Sequence, residues 1–213
     1  MKKSSTHLVR LRHVDARPVQ SSNEALNGLI PEVVLRSAYD GSSAFTLTAG
    51  VFRIVCANGL IVGSGLVEKI IHIGDAVNKT MIAASRIANE TPRLIEGIER
   101  MGEISLTDVA RVEFAKQASD IILSDGALRS EFTVKGLLTP RRRDDTRKDL
   151  WTTFNVIQEN AMKGSYQVLK GTPVNFRGAS VHWCLEKARA IGSVDRTFDV
   201  NRRLWSLAES FAS

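Results

Sequence analysis

Apolar positions alternate with polar ones early in the chain and recur at helical intervals later. The strongest β pattern runs from Val33 to Gly65. Val33, Leu35 and Ala38 lead into Asp40-Gly41-Ser42-Ser43, a turn signal, and Phe45, Leu47 and Val51 to Val55 lead out of it. Thr46 and Thr48 alternate with Phe45 and Leu47, which predicts a strand with one dry and one polar face, as a half-buried antiparallel sheet requires. Ala49-Gly50 and Asn58-Gly59 punctuate at intervals suited to a meander of three strands. Ahead of it, Leu8, Arg10 and Arg12 alternate with Val9 and Leu11, as in an edge strand with one basic face or an ordered arm. Pro18 to Asn27 reads as a loop or a short helix.

After Gly65 the period changes. Leu66, Ile70, Ile73, Val77, Met81, Ala84, Ile87 and Ala88 fall on one broad helical face, with Lys69, Asp75, Lys79, Ser85 and Arg86 opposite. Thr91-Pro92 either kinks this helix or starts a second one, with Thr91 as N-cap. A next helix is predicted to begin at Ser105, whose spacing to Asp108 resembles a capping box, with a stripe of Ala110, Phe114, Ala118, Ile121 and Ile122 and an end at Asp125-Gly126. Glu131 to Leu138 reads as a short strand or helix. Leu150, Trp151, Phe154, Ile157 and Ala161 predict an amphipathic helix ending near Lys163-Gly164. Residues 165–180 are loop-like, strand and helix compete over 178–192, and Asp199 to Phe211 is helical, with Leu204, Leu207, Ala208 and Phe211 on one face. The predicted fold is α+β: a small antiparallel β-meander, then a long helix and a mainly helical C-terminal half. All 213 residues are read as a single domain, β-rich over about 1–65 and helical over about 66–213.

Composition narrows the class. Hydrophobic residues make up 43%, enough for a substantial core. Lys plus Arg number 29 against 23 Asp plus Glu, a formal net charge of +6 that favours polyanionic partners. The two cysteines, Cys56 and Cys184, have neither a CxxC neighbour nor a His at ligand spacing, which disfavours a disulfide scaffold and a structural zinc site. No apolar run approaches the ~20 residues of a membrane span, and the N-terminus lacks the apolar segment of a signal peptide. A cytoplasmic protein, in the host cell if phage-encoded, is the expectation.

No set of residues converges on a catalytic motif. Gly59 to Gly65 has no following Lys-Ser/Thr pair, and its spacing fits neither a phosphate loop nor a dinucleotide fingerprint. His7, His13, His72 and His182 are scattered. Asp144 and Asp145 would suit a magnesium ion in a nuclease, yet arginines flank them. No enzyme and no cofactor are therefore expected. The basic residues say more. Arg141, Arg142, Arg143, Arg147 and Lys148 precede Trp151, and Lys163, Lys170 and Arg177 follow the same helix; such clusters bind phosphates through charge and counterion release. Asp144, Asp145 and Asp149 imply partial internal neutralisation, and Trp151 and Trp205 sit on apolar helical faces that suit core packing. Arg53 stands inside an apolar strand, where it meets a ligand or neighbouring subunit on an open face or needs a carboxylate if buried.

Tyr39-Asp40-Gly41-Ser42-Ser43, Arg53-Ile54-Val55-Cys56-Ala57-Asn58-Gly59 and Leu150-Trp151-Thr152-Thr153-Phe154-Asn155 together resemble the signature of the phage and plasmid family of unknown function numbered nine-three-two. Tyr39 stands where members typically have His, and the likeness extends to Asn201-Arg202-Arg203-Leu204-Trp205. The resemblance implies a gene of phages, plasmids or integrated elements. A three-stranded meander followed by a long helix is also similar in layout to single-strand annealing proteins of the Rad-fifty-two and Red-beta kind. That likeness implies a non-enzymatic DNA-binding protein, preferring single strands and acting in recombination or replication, assembled as a homo-oligomeric ring or filament. On this reading Arg53, Arg141, Arg142, Arg143, Arg147 and Lys148 grip phosphates, while Asp40 and Asn58 hold the turns. The alternatives are a protein-interaction module, such as an inhibitor of a host defence system, and then a metal-dependent nuclease.

Overall fold

The structure, a computed structural model, describes residues 6–12, 29–38, 45–53, 59–61, 67–70, 74–123, 127–128, 130–173 and 181–213. Five strands form the first sheet: β1 (Thr6–Leu11), β2 (Leu29–Ala38), β3 (Phe45–Arg53), β4 (Gly59–Ile61) and β5 (Val67–Ile70). The order is β1-β2-β3-β4, all antiparallel, and β5 shares the outer edge of β3 with β4. Helices α1 (Ala76–Glu103) and α2 (Asp108–Ile122) follow, then β6 (Ala127–Leu128), α3 (Glu131–Leu138), α4 (Leu150–Lys163), the hairpin β7 (Gln167–Pro173) and β8 (Val181–Lys187), and α5 (Val194–Phe211). Strands β6, β7 and β8 make a second antiparallel sheet in that order. The α+β architecture follows the sequence pattern, with an antiparallel meander ahead of a long helix and a mainly helical remainder.

The first sheet uses both faces. Leu35 pairs with Leu47 and Val33 with Ala49 in register, and these side chains join the main core. From the other face Phe198 of α5 packs on Val34 and Leu8. Thr46 and Thr48 are therefore buried, and the polar, solvated face expected of them is corrected: a helix end covers part of it. Ala49-Gly50 does not break the strand, which runs unbroken to Arg53. β1 is an edge strand as its pattern predicts, but its basic face turns inward onto the sheet. Arg10 and Arg12 both clasp Glu32, each with one contact of 2.6 Å.

Helix α1 begins ten residues later than the apolar spacing predicts. Gly74 adopts φ +74°, a left-handed turn that ends β-structure, and Asp75 caps the helix by accepting from the Asn78 amide at 3.2 Å. Leu66 lies outside the described residues and Ile70 belongs to β5. Val77 and Met81, placed on the core face by periodicity, are exposed; the buried face is Ala83, Ile87, Leu94, Ile98 and Met101. Pro92 sits inside the helix without ending it.

Helix α2 starts at Asp108 rather than Ser105, because Thr107 is the residue whose hydroxyl accepts from the Ala110 amide, at 3.1 Å. Residues 131–138 are helical, capped by Ser130. Within the segment read as loop-like, 167–173 form β7; within 178–192, Val181–Lys187 is a strand. Helix α5 begins five residues before the predicted start, where Ser193 caps it. Trp151, Phe154 and Trp205 stack and cross edge to face in the centre of the core, with ring centroids 5.7 and 5.9 Å apart. The core assignment of both tryptophans holds, at 0% and 3% exposure.

Candidate nucleic-acid interface

The loop between α3 and α4 carries the basic cluster: Arg141, Arg143, Arg147 and Lys148 are exposed and Arg142 is half-buried, and all but Arg143 are tied to neighbouring acceptors. Arg142 forks onto Glu159 at 3.1 and 2.9 Å, and Lys163 reaches the same carboxylate at 2.5 Å. Glu159 is 3% exposed. Burial alone would raise its carboxyl pKa, but the hydrogen bonds and charges of Arg142 and Lys163 outweigh that and hold it at about 2. Arg141 donates to Asn160 Oδ1 at 2.5 Å and to the Gly164 carbonyl. Arg147 donates to Asp149 at 2.9 Å, and Asp149 in turn caps α4 through the Thr152 amide at 2.7 Å. Lys148 pairs with Asp108 at 2.8 Å; the hydrogen bond and charge of Lys148 hold that carboxyl below its usual range.

The partial internal neutralisation expected of Asp145 and Asp149 is present, at Arg142 and Arg147. Glu159 adds a clamp under Arg142 and Lys163, and Lys148 pairs with the exposed Asp108. An ion pair with one deeply buried partner cannot release its cation to phosphate without stranding a carboxylate. Within the cluster only Arg143 is exposed with no partner among the described residues. Asp145, one of the two carboxylates weighed as a magnesium ligand, is buried and lies 3.9 Å from Arg142. Among the described residues no group of three or more His, Cys, Asp or Glu could hold a metal ion. Arg53 ends β3 opposite Leu29, and its side chain lies outside what is described. Arg177, Asp40 and Asn58 lie outside the described residues altogether.

A different surface brings base-stacking and cationic chemistry together. Along β8 the side chains of Trp183, Leu185 and Lys187 share one face by strand alternation, and Gln167, Leu169 and Gly171 of β7 oppose them in register. Val168, on the other face, is buried at 6% exposure, so this face is the outer one. Trp183 is 45% and Leu185 49% exposed. Gly171 stands opposite Trp183, which leaves the indole no cross-strand side chain to lie against. Lys187 and Arg189 are exposed and form no ion pair among the described residues. Lys170 pairs with Glu186 at 3.5 Å, an exposed contact of little strength.

Sequence reading missed Trp183 as a surface residue. The signal was present in the alternation of Val181, Trp183 and Leu185 with His182, Cys184 and Glu186, followed at once by Lys187 and Arg189. It needed the strand assignment before it could be read.

Comparison with known proteins agrees along nearly the whole length. The model of the family described as "Domain of unknown function (DUF932)" matches residues 7–205. The UPF0380 protein YafZ of Escherichia coli is 32% identical over 205 residues, covering 96% of this chain and 68% of the relative. The UPF0380 protein YfjQ of the same organism is 31% identical over 205 residues, with the same shares. No solved structure matches, and the expected likeness in layout to annealing proteins is not shown. The three ordered motifs and the match over residues 7–205 agree: this chain belongs to the DUF932 family.

Proposed function

We propose that this protein binds DNA without cleaving it, prefers single strands, and does so on the outer face of the β7–β8 hairpin. The observation that carries the reading is Trp183, a half-exposed indole on the same open sheet face as Lys187, a cation with no ion pair among the described residues. Unpaired bases stack on such rings, and every base has a π-face, so the contact tolerates any sequence. Lys187, on the same strand face, neutralises phosphate and releases a counterion. In a duplex the bases are already stacked on one another, which gives the preference for single strands. The family's phage and plasmid setting gives such binding a place in recombination or replication. Annealing would follow from copies assembled side by side with base edges left open.

Fluorescence anisotropy of labelled single-stranded and duplex oligonucleotides across salt tests the reading. Single strands should bind more tightly, with affinity falling as salt rises. Trp183→Ala should cost ~1–3 kcal/mol, the usual worth of one stacked base. Equal affinity of wild type and Trp183→Ala would remove the hairpin from the interface.

A second reading, docking on another protein, is favoured by the groove between α2 and α3. Its volume is 740 Å³, Val112, Val134 and Leu138 line it, and Phe132 on α3 is 55% exposed. A protein whose oligonucleotide affinity is negligible at low salt would belong to this class instead.

A further inference from the structure

We propose that the cleft behind the same hairpin, between the inner face of β7 and β8, the start of α5 and the end of α2, binds a phosphate group, free or carried on a nucleotide. Its volume is 430 Å³, within the ~300–1,000 Å³ usual for small-molecule sites. Three cationic residues whose side chains are not assigned to the outer face, Lys170, Arg189 and Arg196, line it against the single carboxylate of Glu186. Glu186 faces Lys170, and Arg196 spends one Nη2 on the Ile122 carbonyl at 2.7 Å. The remaining guanidinium N–H groups of Arg196, with Arg189, leave an excess of positive charge in a concave site, where low-dielectric walls focus it.

The observation that points to a ligand is Tyr166. It lines the cleft at 7% exposure, and its hydroxyl has no hydrogen-bond partner among the described residues. The ring is buried while the hydroxyl stays open to the cleft. Burial raises its pKa to about 12, against a smaller opposite pull from Arg196, so the hydroxyl stays a donor throughout the neutral range. A donor open to the cleft and close enough to Arg196 to feel its charge suits an anionic acceptor. Ile122, Val168 and Ile191 supply an apolar wall for the organic part of a phosphate ester.

The cleft is also preformed. The Ser165 amide donates to the Ala188 carbonyl at 2.7 Å, Ala188 to Tyr166 at 2.8 Å, and Ile191 to Met162 at 3.2 Å, which fixes the chain that walls the cleft. Ser193 caps α5 at its rim by accepting from the Arg196 amide at 3.1 Å, and the helix dipole adds to the attraction. Little ordering remains to oppose binding.

Calorimetric titration of the full chain with inorganic phosphate, adenosine monophosphate and adenosine, at matched ionic strength in chloride, tests the site. Phosphate and the nucleotide should bind and adenosine should not. A nucleotide bound more tightly than phosphate identifies an ester as the ligand; equal affinities identify the free anion. Tyr166→Phe should weaken binding about tenfold, the loss of one hydrogen bond to a charged group, with the melting temperature unchanged. Arg189→Gln should weaken it as well. No heat with either phosphate compound, binding of adenosine as strong as of its monophosphate, or affinities unchanged in both variants would overturn the site. The proposal does not rest on the outer-face reading: Trp183→Ala should leave phosphate binding intact, so each can fail alone.

Discussion

Glu159 shows what a single buried carboxylate does to a run of arginines. It lies at 3% exposure under Arg142 and Lys163, so its charge is tolerated only while both cations stay. Replacing Arg142 by Met strands that charge and should cost ~3 kcal/mol. For a chain of this size that lowers the melting temperature by ~6–12 °C. Arg143→Ala, at the exposed neighbour with no internal partner among the described residues, should change stability by less than ~0.5 kcal/mol. Thermal denaturation of the two variants separates a clamp from a surface patch. The same carboxylate sets an acid limit. Its folded pKa of about 2 lies below the ordinary 4.5, so its contribution is complete above 4.5 and is lost as pH falls from there toward about 2. Glu32, pressed upward by burial but pulled lower overall by Arg10 and Arg12, acts in the same direction. Melting temperature should fall through that acid window, and less steeply in Glu159→Gln; identical slopes would remove Glu159 from the balance.

Among the elements, α4 is the axis of the helical part and shows why some elements are readable and others not. It was legible because Leu150, Trp151, Phe154, Ile157 and Ala161 keep helical spacing and Gly164 closes it at φ +65°. Its buried polar side chains were not legible as core, since their partners come from distant chain: Gln158 bonds Asn201 at 3.0 Å, and Asn160 donates to the Leu137 and Thr139 carbonyls, each at 2.9 Å. Gly164 has a second duty. A Cβ there would lie 2.6 Å from the Ala188 carbonyl oxygen and from the Ala190 nitrogen, which no side-chain movement can relieve. Gly164→Ala should therefore destabilise by about 3 kcal/mol or more. Gly97, inside α1 with nothing within 4 Å of its would-be Cβ, should give the opposite result. Gly97→Ala should stabilise by ~0.5–1 kcal/mol through the unfolded chain's lost freedom. Denaturant unfolding of both variants reads the two signs. The start of α1 misled for a related reason: Val77 and Met81 have the right spacing but are exposed, and the buried face begins only at Ala83 and Ile87.

At the scale of the molecule, the α+β plan and the edge position of β1 could be read from alternation, because local periodicity and the sheet's faces agree there. The second sheet could not. β7 carries Gly171, Thr172 and Pro173, residues of loops, and becomes a strand only by pairing with β8. With it the sequence reading lost the one indole that faces out. Asp145 and Asp149 could be read as neutralisers of the arginine run, but not Glu159 and Asp108, which reach it from α4 and α2. Among the described residues Arg143, Lys187 and Arg189 are unpaired cations within the net charge of +6. Among the described residues no helix is long and apolar enough to cross a membrane.

The chain has three tryptophans, of which Trp151 and Trp205 are buried and Trp183 is 45% exposed. Intrinsic fluorescence during titration with an unlabelled single-stranded oligonucleotide therefore reports on the proposed stacking position itself. The account predicts saturable quenching that weakens as salt rises and vanishes in Trp183→Phe, while the folded state is unchanged. Oligonucleotide binding seen by anisotropy with no change in tryptophan emission would contradict it.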